Sequence, residues 1–360
     1  MTPATRSRVD SFGLPIFSFG DYMSSPIAGG PIRVAMTGFG SVGRNLATIL
    51  IERPDLPIVL TAAADRSGYA IDPSGLSPQA LLDAKRSGGL AGHPLGREGS
   101  LTAAELQQSR SGVLVEAAST SFENGQPGWG YVEAAFEAGL DVVLASKGPL
   151  VAHWDELYRA ASHHGCRVGI SATHGAPLPA IDLVAFGMTG SRLSGLRALF
   201  NSTSGLLLER MEAGASLEQA LQAVSEVGVA ETNPRLDIEG WDAAAKCVIV
   251  GRSLFGGSLG LAEVDRQGIE NLSGDEVRGA AQAGTPVKLV ARIEPGPDGP
   301  LAAVRPERLQ SDDPLASLRN GALGIVYEAE PVGPMFLAAY GSGGRSTAAA
   351  VIRDVLRLRR

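Results

Sequence analysis

The side chains best suited to proton transfer in this chain are its lysines. Only four of the 31 basic residues are lysines, and the remaining 27 are arginines. Arginine cannot release its proton near neutral pH, whereas lysine can, so each lysine is a candidate acid or base. Lys85 lies in a polar stretch and Lys288 begins an apolar strand-like run, so both are interpreted as ordinary residues. The candidates are therefore Lys147 and Lys246.

Lys246 has a carboxylate partner four residues earlier in the chain. Asp242 precedes it with three alanines between the two. Residues four apart share one face of a helix, and alanine favours helix without adding bulk to that face. The same spacing is common in ordinary surface ion pairs, which taken alone is the better explanation. The chemistry of the pair therefore depends on what surrounds it.

A glycine-rich segment near the N-terminus has the spacing of a dinucleotide-binding loop. It follows a predicted strand, begins a predicted helix, and is composed of Gly38, Phe39, Gly40, Ser41, Val42 and Gly43. The three glycines allow a tight turn, close approach of the backbone to a pyrophosphate, and close packing of helix on strand. The free N–H groups at the start of the helix would then bind the phosphates.

The residues after the next predicted strand bear on which cofactor is bound. Asp65 lies 22 positions after Gly43, where a carboxylate would accept hydrogen bonds from the adenosine ribose. This position favours NAD, yet Arg66 and Ser67 beside it could accept the 2′-phosphate of NADP. The sequence therefore predicts an NAD(P) cofactor and leaves the preference between NAD and NADP open.

The order of predicted elements changes near residue 150. In the first part, strands alternate with helices, which is typical of parallel βαβ units. The predicted elements there are strands at 32–37, 58–64, 113–118 and 141–146 and helices at 41–51 and 130–138. In the second part, predicted helices lie at 154–163, 177–186, 205–212, 217–224, 239–254 and 346–358, and strands at 167–172, 287–293, 302–304 and 323–328. The segment 66–110 is not placed by its pattern.

This order predicts an α/β fold with two domains. A Rossmann-type doubly wound nucleotide-binding domain is expected over residues 31–150, completed by 341–360. An α+β catalytic and dimerisation domain is expected over 151–340. Residues 1–30 are rich in serine, proline and glycine, and we expect a flexible arm there.

Composition excludes several classes of protein. The chain has 360 residues, is 44% hydrophobic, and carries a formal charge of -7. An acidic chain of this kind has no electrostatic footprint for nucleic acid, and no apolar run approaches the roughly 18 residues of a membrane span. Two cysteines are too few for a disulfide framework, and the N-terminus lacks a secretory signal pattern. We therefore expect a cytoplasmic protein that binds neither nucleic acid nor membrane.

Several motifs, in order along the chain, resemble the homoserine dehydrogenase family. The segment 228–246 matches the family signature Ala-Glu-x-(Asp/Asn)-Pro, then Asp, then Gly-x-Asp-x-x-x-Lys. Three further elements are similar to turns and loops of the family: Ser146-Lys147-Gly148-Pro149, His174-Gly175-Ala176-Pro177 and Asn201-Ser202-Thr203-Ser204. The glycine turn and helix at 340–358 are also similar to the segment that closes the family's fold. The resemblance covers nearly everything after residue 31.

The resemblance implies an activity and assigns roles to residues. The activity is the NAD(P)-dependent interconversion of L-homoserine and L-aspartate 4-semialdehyde. Lys246 would be the general acid or base, which requires a lowered pKa or exclusion of water, and Lys147 would be a second cation near the reacting oxygen. The carboxylates of Glu231 and Asp242 would bind the ammonium and hydroxyl ends of the substrate. Further substrate contacts are expected at Asp237, Thr203 and Gly175, and further cofactor contacts at Ser119, Lys147 and Gly343.

Four positions depart from the family pattern. Ser146 replaces an asparagine, Val229 replaces a tyrosine, and His174 replaces a glycine. His174 is interpreted as a loop residue, with a new substrate contact as the alternative. Gly169 stands where the family often has a glutamate that helps to hold a monovalent cation, so we expect no bound metal.

These departures leave two other functions open. The first is a sister dehydrogenase that acts on another small amino or hydroxy acid semialdehyde. The second is a nucleotide-binding regulatory protein without turnover, which the presence of Lys147, Asp242 and Lys246 disfavours. The resemblance also implies a homodimer. We expect no threonine control through an appended amino-acid-sensing domain.

Overall fold

The N-terminal sheet has seven strands. The computed structural model of the protein describes residues 30–226, 235–341 and 343–358. The strands are β1 (Ile32–Thr37), β2 (Ile58–Asp65), β3 (Gly68–Ile71), β4 (Gly96–Arg97), β5 (Val113–Glu116), β6 (Asp141–Leu144) and β7 (Val168–Gly169). Their order across the sheet is β4-β3-β2-β1-β5-β6-β7. The strands from β2 to β7 in that order run parallel, and β3 and β4 add an antiparallel edge.

The order of strands reverses direction between β1 and β5. From β1 the chain moves outward to β2 on one side, and it later returns to β5 on the other side. In open sheets of this type, ligands bind in the crevice at the carboxyl ends of the strands at such a switch point. The loops that follow β1, β5 and β6 all lie at this edge, which we call the carboxyl edge.

Helices cover both faces of this sheet. They are α1 (Ser41–Glu52), α2 (Pro78–Arg86), α3 (Ala103–Ser109), α4 (Gly128–Glu137) and α5 (Gly148–His164). Val34 and Met36 of β1 pack with Leu46 on one face, and Ala35 packs with Val132 on the other. Because both faces are covered, β5 and β6 are buried along their whole length.

The second sheet is mixed and has six strands. They are β8 (Arg192–Leu199), β9 (Asp265–Arg266), β10 (Val287–Glu294), β11 (Leu301–Arg308), β12 (Leu323–Glu330) and β13 (Met335–Ala339), in the order β13-β12-β8-β10-β11-β9. The accompanying helices are α6 (Ala180–Asp182), α7 (Ser202–Glu212), α8 (Leu217–Glu226), α9 (Arg235–Ile238), α10 (Trp241–Phe255) and α11 (Gly274–Gln282). A large apolar core fills the space between these helices and the sheet.

Helix α10 contributes to the cores of both sheets. Val248 and Val250 belong to the core of the second sheet. Ile249 belongs to the core on the face of the first sheet that carries Leu157 of α5. Since α10 carries both Asp242 and Lys246, the packing of the two sheets fixes where these side chains lie.

The chain returns to the first sheet at its C-terminus. Helix α12 (Gly344–Arg357) contacts α1, and its Ala348, Val351 and Val355 share the core that contains Met36. An ideal Cβ on Gly344 would lie 2.2 Å from the hydroxyl of Ser41 and 3.1 Å from its backbone carbonyl carbon, so glycine permits this close approach. The start of α12 therefore lies beside the first turn of α1.

The structure confirms the predicted α/β fold and corrects several elements. The strand expected at 167–172 is limited to Val168–Gly169, because Asp354 of α12 occupies the backbone and hydroxyl of Ser171. Strands β8 and β13 were not predicted. β8 is central, yet its Arg, Ser and Gly residues give it little of the β-branched composition typical of strands. The unplaced segment 66–110 supplies β3, α2, β4 and α3.

Within the described residues, no helix is both long and apolar enough to cross a membrane.

Gly169 offers a test of how closely α12 approaches the first sheet. An ideal Cβ at this position would lie 2.8 Å from the Cβ of Asp354, which the helix backbone holds in place. We expect Gly169→Ala to lower the free energy of unfolding by about 1–3 kcal/mol, as overpacking typically does. Chemical denaturation measures the change. The control is Gly112→Ala, where nothing lies within 4 Å of the new methyl group. Equal stability of the two variants would contradict this packing.

Candidate functional site

Two lysines and one carboxylate meet where the two sheets adjoin. The Nζ of Lys246 lies 2.6 Å from Oδ2 of Asp242, and the Nζ of Lys147 lies 3.3 Å from Oδ1 of the same residue. The Asp242 side chain retains 16% of its full exposure, and the Lys246 side chain retains 13%. The carboxylate thus bridges two ammonium groups in a mostly buried position. The pair predicted from spacing is therefore not an ordinary surface ion pair.

The two lysines reach Asp242 from different parts of the fold. Lys147 follows β6 at the carboxyl edge and is the N-cap residue of α5. Lys246 lies one turn after Asp242 on α10, and its ammonium group also donates to the carbonyl oxygen of Phe200, at 2.6 Å. These two acceptors use two of its three N–H bonds. Among the described residues the third has no acceptor within hydrogen-bond distance.

Asn201 connects the carboxylates of this site. Its side-chain amide donates to Oδ1 of Asp237 at 2.6 Å and to Oδ2 of Asp242 at 2.9 Å. Its oxygen accepts from the backbone N–H of Ser204 and so caps the start of α7. The role of Asn201 between the carboxylates was not predictable from local pattern, because a lone asparagine ahead of a helix predicts a cap and nothing more.

The surroundings of Asp242 keep its carboxyl group ionised. Burial alone would raise the pKa of Asp242, but Lys246 and Lys147, together with the hydrogen bonds from Lys246 and Asn201, hold that pKa well below its usual range. Asp242 is also the second residue of α10, where the helix dipole favours negative charge. A fixed negative charge therefore lies between the two lysines throughout the physiological range of pH.

The glycine-rich loop at the carboxyl edge has the geometry that a dinucleotide requires. Gly38 has a φ of +85°, and an ideal Cβ there would lie 2.3 Å from the backbone of Ala117. An ideal Cβ on Gly43 would lie 3.0 Å from the carbonyl oxygen of Gly38 and 3.0 Å from Cε of Met36. Nothing lies within 4 Å of an ideal Cβ on Gly40, and no side chain among the described residues caps α1. The residues present therefore fit a pyrophosphate at the start of this helix.

Asp65 is already engaged by neighbouring protein groups. Its Oδ2 accepts from the ammonium group of Lys85, and its Oδ1 accepts from the backbone N–H and the hydroxyl of Ser67, at 2.9 and 2.6 Å. Burial would raise the pKa of Asp65, and the hydrogen bonds from Lys85 and Ser67 lower it overall. Lys85, interpreted from the sequence as an ordinary residue, thus forms an ion pair with a predicted cofactor residue. No local pattern links a lysine on α2 to the end of β2.

The remaining predicted cofactor residues lie around the same edge. Ser119 is exposed and follows β5, and Arg66 is exposed on the turn between β2 and β3. Gly343 has a φ of +104° and immediately precedes Gly344, which contacts Ser41. Phe39, which belongs to the glycine-rich loop, has a fully buried side chain that packs in the core of the first sheet.

The predicted substrate residues are only partly gathered by the structure. Asp237 joins the cluster through Asn201, and Thr203 is buried in the first turn of α7. Gly175 has a φ of +104° in the loop that precedes α6. Glu231 and Val229 lie outside the described residues.

His174 lies in the loop before α6, as interpreted from the sequence, and its side chain is buried there. It retains 2% of its full exposure, and its Nδ1 has no hydrogen-bond partner among the described residues. Burial lowers the pKa of His174 to about 4, against a raising effect of the Asp182 charge, so the imidazole is neutral at pH 7. A neutral ring adds no charge to the neighbourhood of Lys246.

Family models and known relatives identify this arrangement. The model for homoserine dehydrogenase matches residues 179–356, and the model for the homoserine dehydrogenase NAD binding domain matches residues 38–171. The homoserine dehydrogenase of Methanocaldococcus jannaschii is 30% identical over 335 residues, covering 90% of this chain and 98% of the relative. The chain belongs to the homoserine dehydrogenase family.

Other members of the homoserine dehydrogenase family match over a similar length. The NAD(+)-dependent homoserine dehydrogenase of Pseudomonas canavaninivorans is 28% identical over 336 residues, covering 91% of this chain and 96% of the relative. The crystal structure of a putative homoserine dehydrogenase from Archaeoglobus fulgidus superimposes with a TM-score of 0.79 at 27% identity, covering 91% of this chain and 99% of that structure. A hyperthermophilic archaeal homoserine dehydrogenase in complex with NADPH gives a TM-score of 0.77 at 25% identity, with 91% and 97% coverage.

The pH dependence of stability should report the ionised state of Asp242. A carboxyl group with a depressed folded-state pKa contributes stability that is complete above its unfolded pKa of about 3.9 and is lost as the pH falls below it. We therefore expect Asp242→Asn to lose less stability than the unmodified protein between pH 5 and pH 3, measured by urea unfolding.

The matched control is Asp155→Asn. Asp155 pairs with Arg252 of the same helix α10, but its side chain is 71% exposed. We expect this variant to keep the pH slope of the unmodified protein. An unchanged slope in Asp242→Asn would show that the bridging carboxylate is not held in its ionised form.

Proposed function

We propose that this protein interconverts L-homoserine and L-aspartate 4-semialdehyde with a nicotinamide cofactor. The observation that carries the proposal is the Asp242 carboxylate bridging Lys147 and Lys246 beside the carboxyl edge of a nucleotide-binding sheet. When bound, the cofactor supplies or accepts the hydride. The family membership of the chain supports this substrate over other small semialdehydes.

Lys246 is the proton donor in the proposed reduction. As the aldehyde carbon gains hydride, its oxygen gains negative charge and takes a proton from the Lys246 ammonium group. In the reverse direction the neutral amine removes the hydroxyl proton of homoserine. Lys147 stabilises the developing charge on the oxygen. Asp242 keeps both lysines close to the reacting atoms.

The carboxylates near Asn201 are proposed to bind the amino acid part of the substrate. Asp237 and Asp242 share the Asn201 amide as their donor, and the buried Thr203 follows Asn201 by two residues in the first turn of α7. Negative groups of this kind suit the substrate ammonium. Glu231, Gly175 and the neutral His174 complete the proposed contacts.

The residues around Asp65 support NADP as a cofactor of this protein. An Asp65 carboxylate paired with Lys85 is less available to a ribose hydroxyl, and the Lys85 ammonium group adds positive charge where a 2′-phosphate would lie. Arg66 is exposed on the adjacent turn and supplies a second cation. We therefore propose that the protein accepts NADP and binds its 2′-phosphate between these two side chains.

We also propose a homodimer and a cytoplasmic location. β13 is the edge strand of the second sheet, and the exposed Val332, Phe336 and Tyr340 lie in or beside it. An unpaired edge with exposed apolar side chains is suited to association with a second copy. Both cysteines are free thiols, which suits a reducing compartment.

Removing the Lys246 amine tests the proposed reaction. We expect Lys246→Met to lower kcat for homoserine oxidation by about 10²- to 10⁴-fold, the usual contribution of a general acid or base. Cofactor absorbance measures the rate. The control Arg252→Met lies on the same helix, where the arginine pairs with Asp155 away from the site, and should keep nearly full activity. Full activity of Lys246→Met would contradict the assignment. Turnover of another semialdehyde in preference to homoserine would identify the sister activity.

Lys85 tests the cofactor proposal. We expect Lys85→Ala to raise KM for NADP(H) by about tenfold, the loss of one hydrogen bond to a charged phosphate, with a smaller effect on KM for NAD(H). Steady-state kinetics with both cofactors measures the two values. The control is Arg86→Ala, since the neighbouring Arg86 is exposed and pairs with Asp83. An equal rise for both cofactors would contradict a 2′-phosphate contact.

A further inference from the structure

A buried carboxyl group with no role in the proposed reaction lies behind Lys147. Glu116 is the last residue of β5 and is completely buried. Its Oε1 accepts from the backbone N–H of Ala118 at 2.8 Å, and its Oε2 accepts from the hydroxyl of Ser146. Ser146 immediately precedes Lys147. One hydrogen bond therefore connects Glu116 to the turn that carries a site lysine.

The walls around Glu116 are polar but uncharged. Thr37 is its register partner on β1, and the buried hydroxyl of Thr37 has no hydrogen-bond partner among the described residues. Gly128 begins α4 so close by that an ideal Cβ would lie 3.0 Å from the Glu116 carboxyl carbon. No ion pair to Glu116 is formed within the described residues. The hydrogen bonds from Ser146 and from the Ala118 N–H therefore favour its negative charge, and the start of α4 adds the positive end of a helix dipole.

The carboxyl group of Glu116 changes protonation state near neutral pH. Burial raises its pKa to about 7, against the lowering effect of the hydrogen bonds from Ser146 and from the Ala118 N–H. Both forms are therefore populated under physiological conditions. The charged groups on the far side of Ser146 are Lys147 and the Asp242 carboxylate that pairs with it.

We propose that Glu116 is a positioning residue for Lys147, acting through the Ser146 hydroxyl. The ionised carboxylate accepts a hydrogen bond from the Ser146 hydroxyl and so fixes the turn before α5. The protonated carboxyl group carries a hydrogen on one oxygen. With that hydrogen on Oε2, the hydrogen bond reverses: Glu116 donates to the Ser146 hydroxyl, whose own proton turns to another acceptor. This reversal changes the surroundings of the Lys147 ammonium group.

The scarcity of lysine makes the proposal testable without substrate. Only four lysines contribute resonances when the lysine Cε position is labelled with ¹³C, and Lys→Arg variants assign them. We expect the Lys147 resonance of the unmodified protein to show an inflection near pH 7. The inflection should be absent in Glu116→Gln, which cannot ionise. It should also be absent in Ser146→Ala, which removes the connection but retains the carboxyl group.

A second buried carboxylate serves as the control for a purely structural effect. Asp141 begins β6 at the opposite edge of the sheet, where Arg167 donates to it at 2.7 Å. The Asp141→Asn variant should keep the Lys147 inflection even if it lowers stability. An inflection that persists in both Glu116→Gln and Ser146→Ala would overturn the proposal, and so would its absence from the unmodified protein. If one of these variants does not fold, the other decides the outcome.

Activity provides a second readout, which rests on the proposed function. Below pH 7 we expect kcat for homoserine oxidation to fall to the value of Glu116→Gln, whose own profile should lack that acidic limb. The difference at pH 8 should be about tenfold, the usual effect of one hydrogen bond to a charged group. An acidic limb that persists in Glu116→Gln would count against the proposal. Absence of homoserine turnover in the unmodified protein would overturn the proposed function and leave the Lys147 resonance as the test of Glu116.

Discussion

The site depends on one carboxylate that holds two ammonium groups together. Like charges repel strongly in a partly buried setting, so Lys147 and Lys246 stay close only while Asp242 supplies an oxygen to each. Lys147 belongs to the carboxyl edge of the first sheet, and Lys246 belongs to a helix whose core is shared with the second sheet. The bridge is therefore complete only when the two sheets are packed correctly. The packing of the two sheets thus brings the carboxyl edge, where the cofactor is proposed to bind, close to Lys246, the proposed proton donor.

Keeping a charge at this position requires compensation. A buried carboxylate is costly unless charges and hydrogen bonds satisfy it, and Asp242 has two lysines, the Asn201 amide and the start of α10. Asn201 connects several elements at once, because the nitrogen and the oxygen of its side-chain amide contact different helices. Its amide joins two carboxylates of α9 and α10, and its oxygen caps α7. Removal of this one side chain would leave three helices less well connected.

The sequence predicted the parts of the structure that depend on local pattern. Strand β1, helix α1 and the glycine-rich loop follow from apolar runs and from glycines with local roles, and their bounds agree closely with the structure. The pair Asp242 and Lys246 also followed from helical spacing. The partner of Asp65 did not, because Lys85 is brought to it by the packing of α2. β8 was missed because a central strand rich in Arg, Ser and Gly is stabilised by its neighbours rather than by its own propensity.

Buried carboxyl groups hold the loops at the carboxyl edge where apolar packing cannot. These loops are rich in glycine, serine and alanine, which offer little apolar surface to anchor them. Glu116 accepts from the turn before Lys147, and Asp354 accepts from both the backbone and the hydroxyl of Ser171, ahead of the Gly175 loop. Hydrogen bonds are directional, so such anchors fix orientation more sharply than apolar contact does. The same dependence makes the loops sensitive to protonation, since burial raises the pKa of both carboxyl groups. If Glu116 positions Lys147 as proposed, the site is coupled to pH through a buried group outside the residues proposed to bind the substrate.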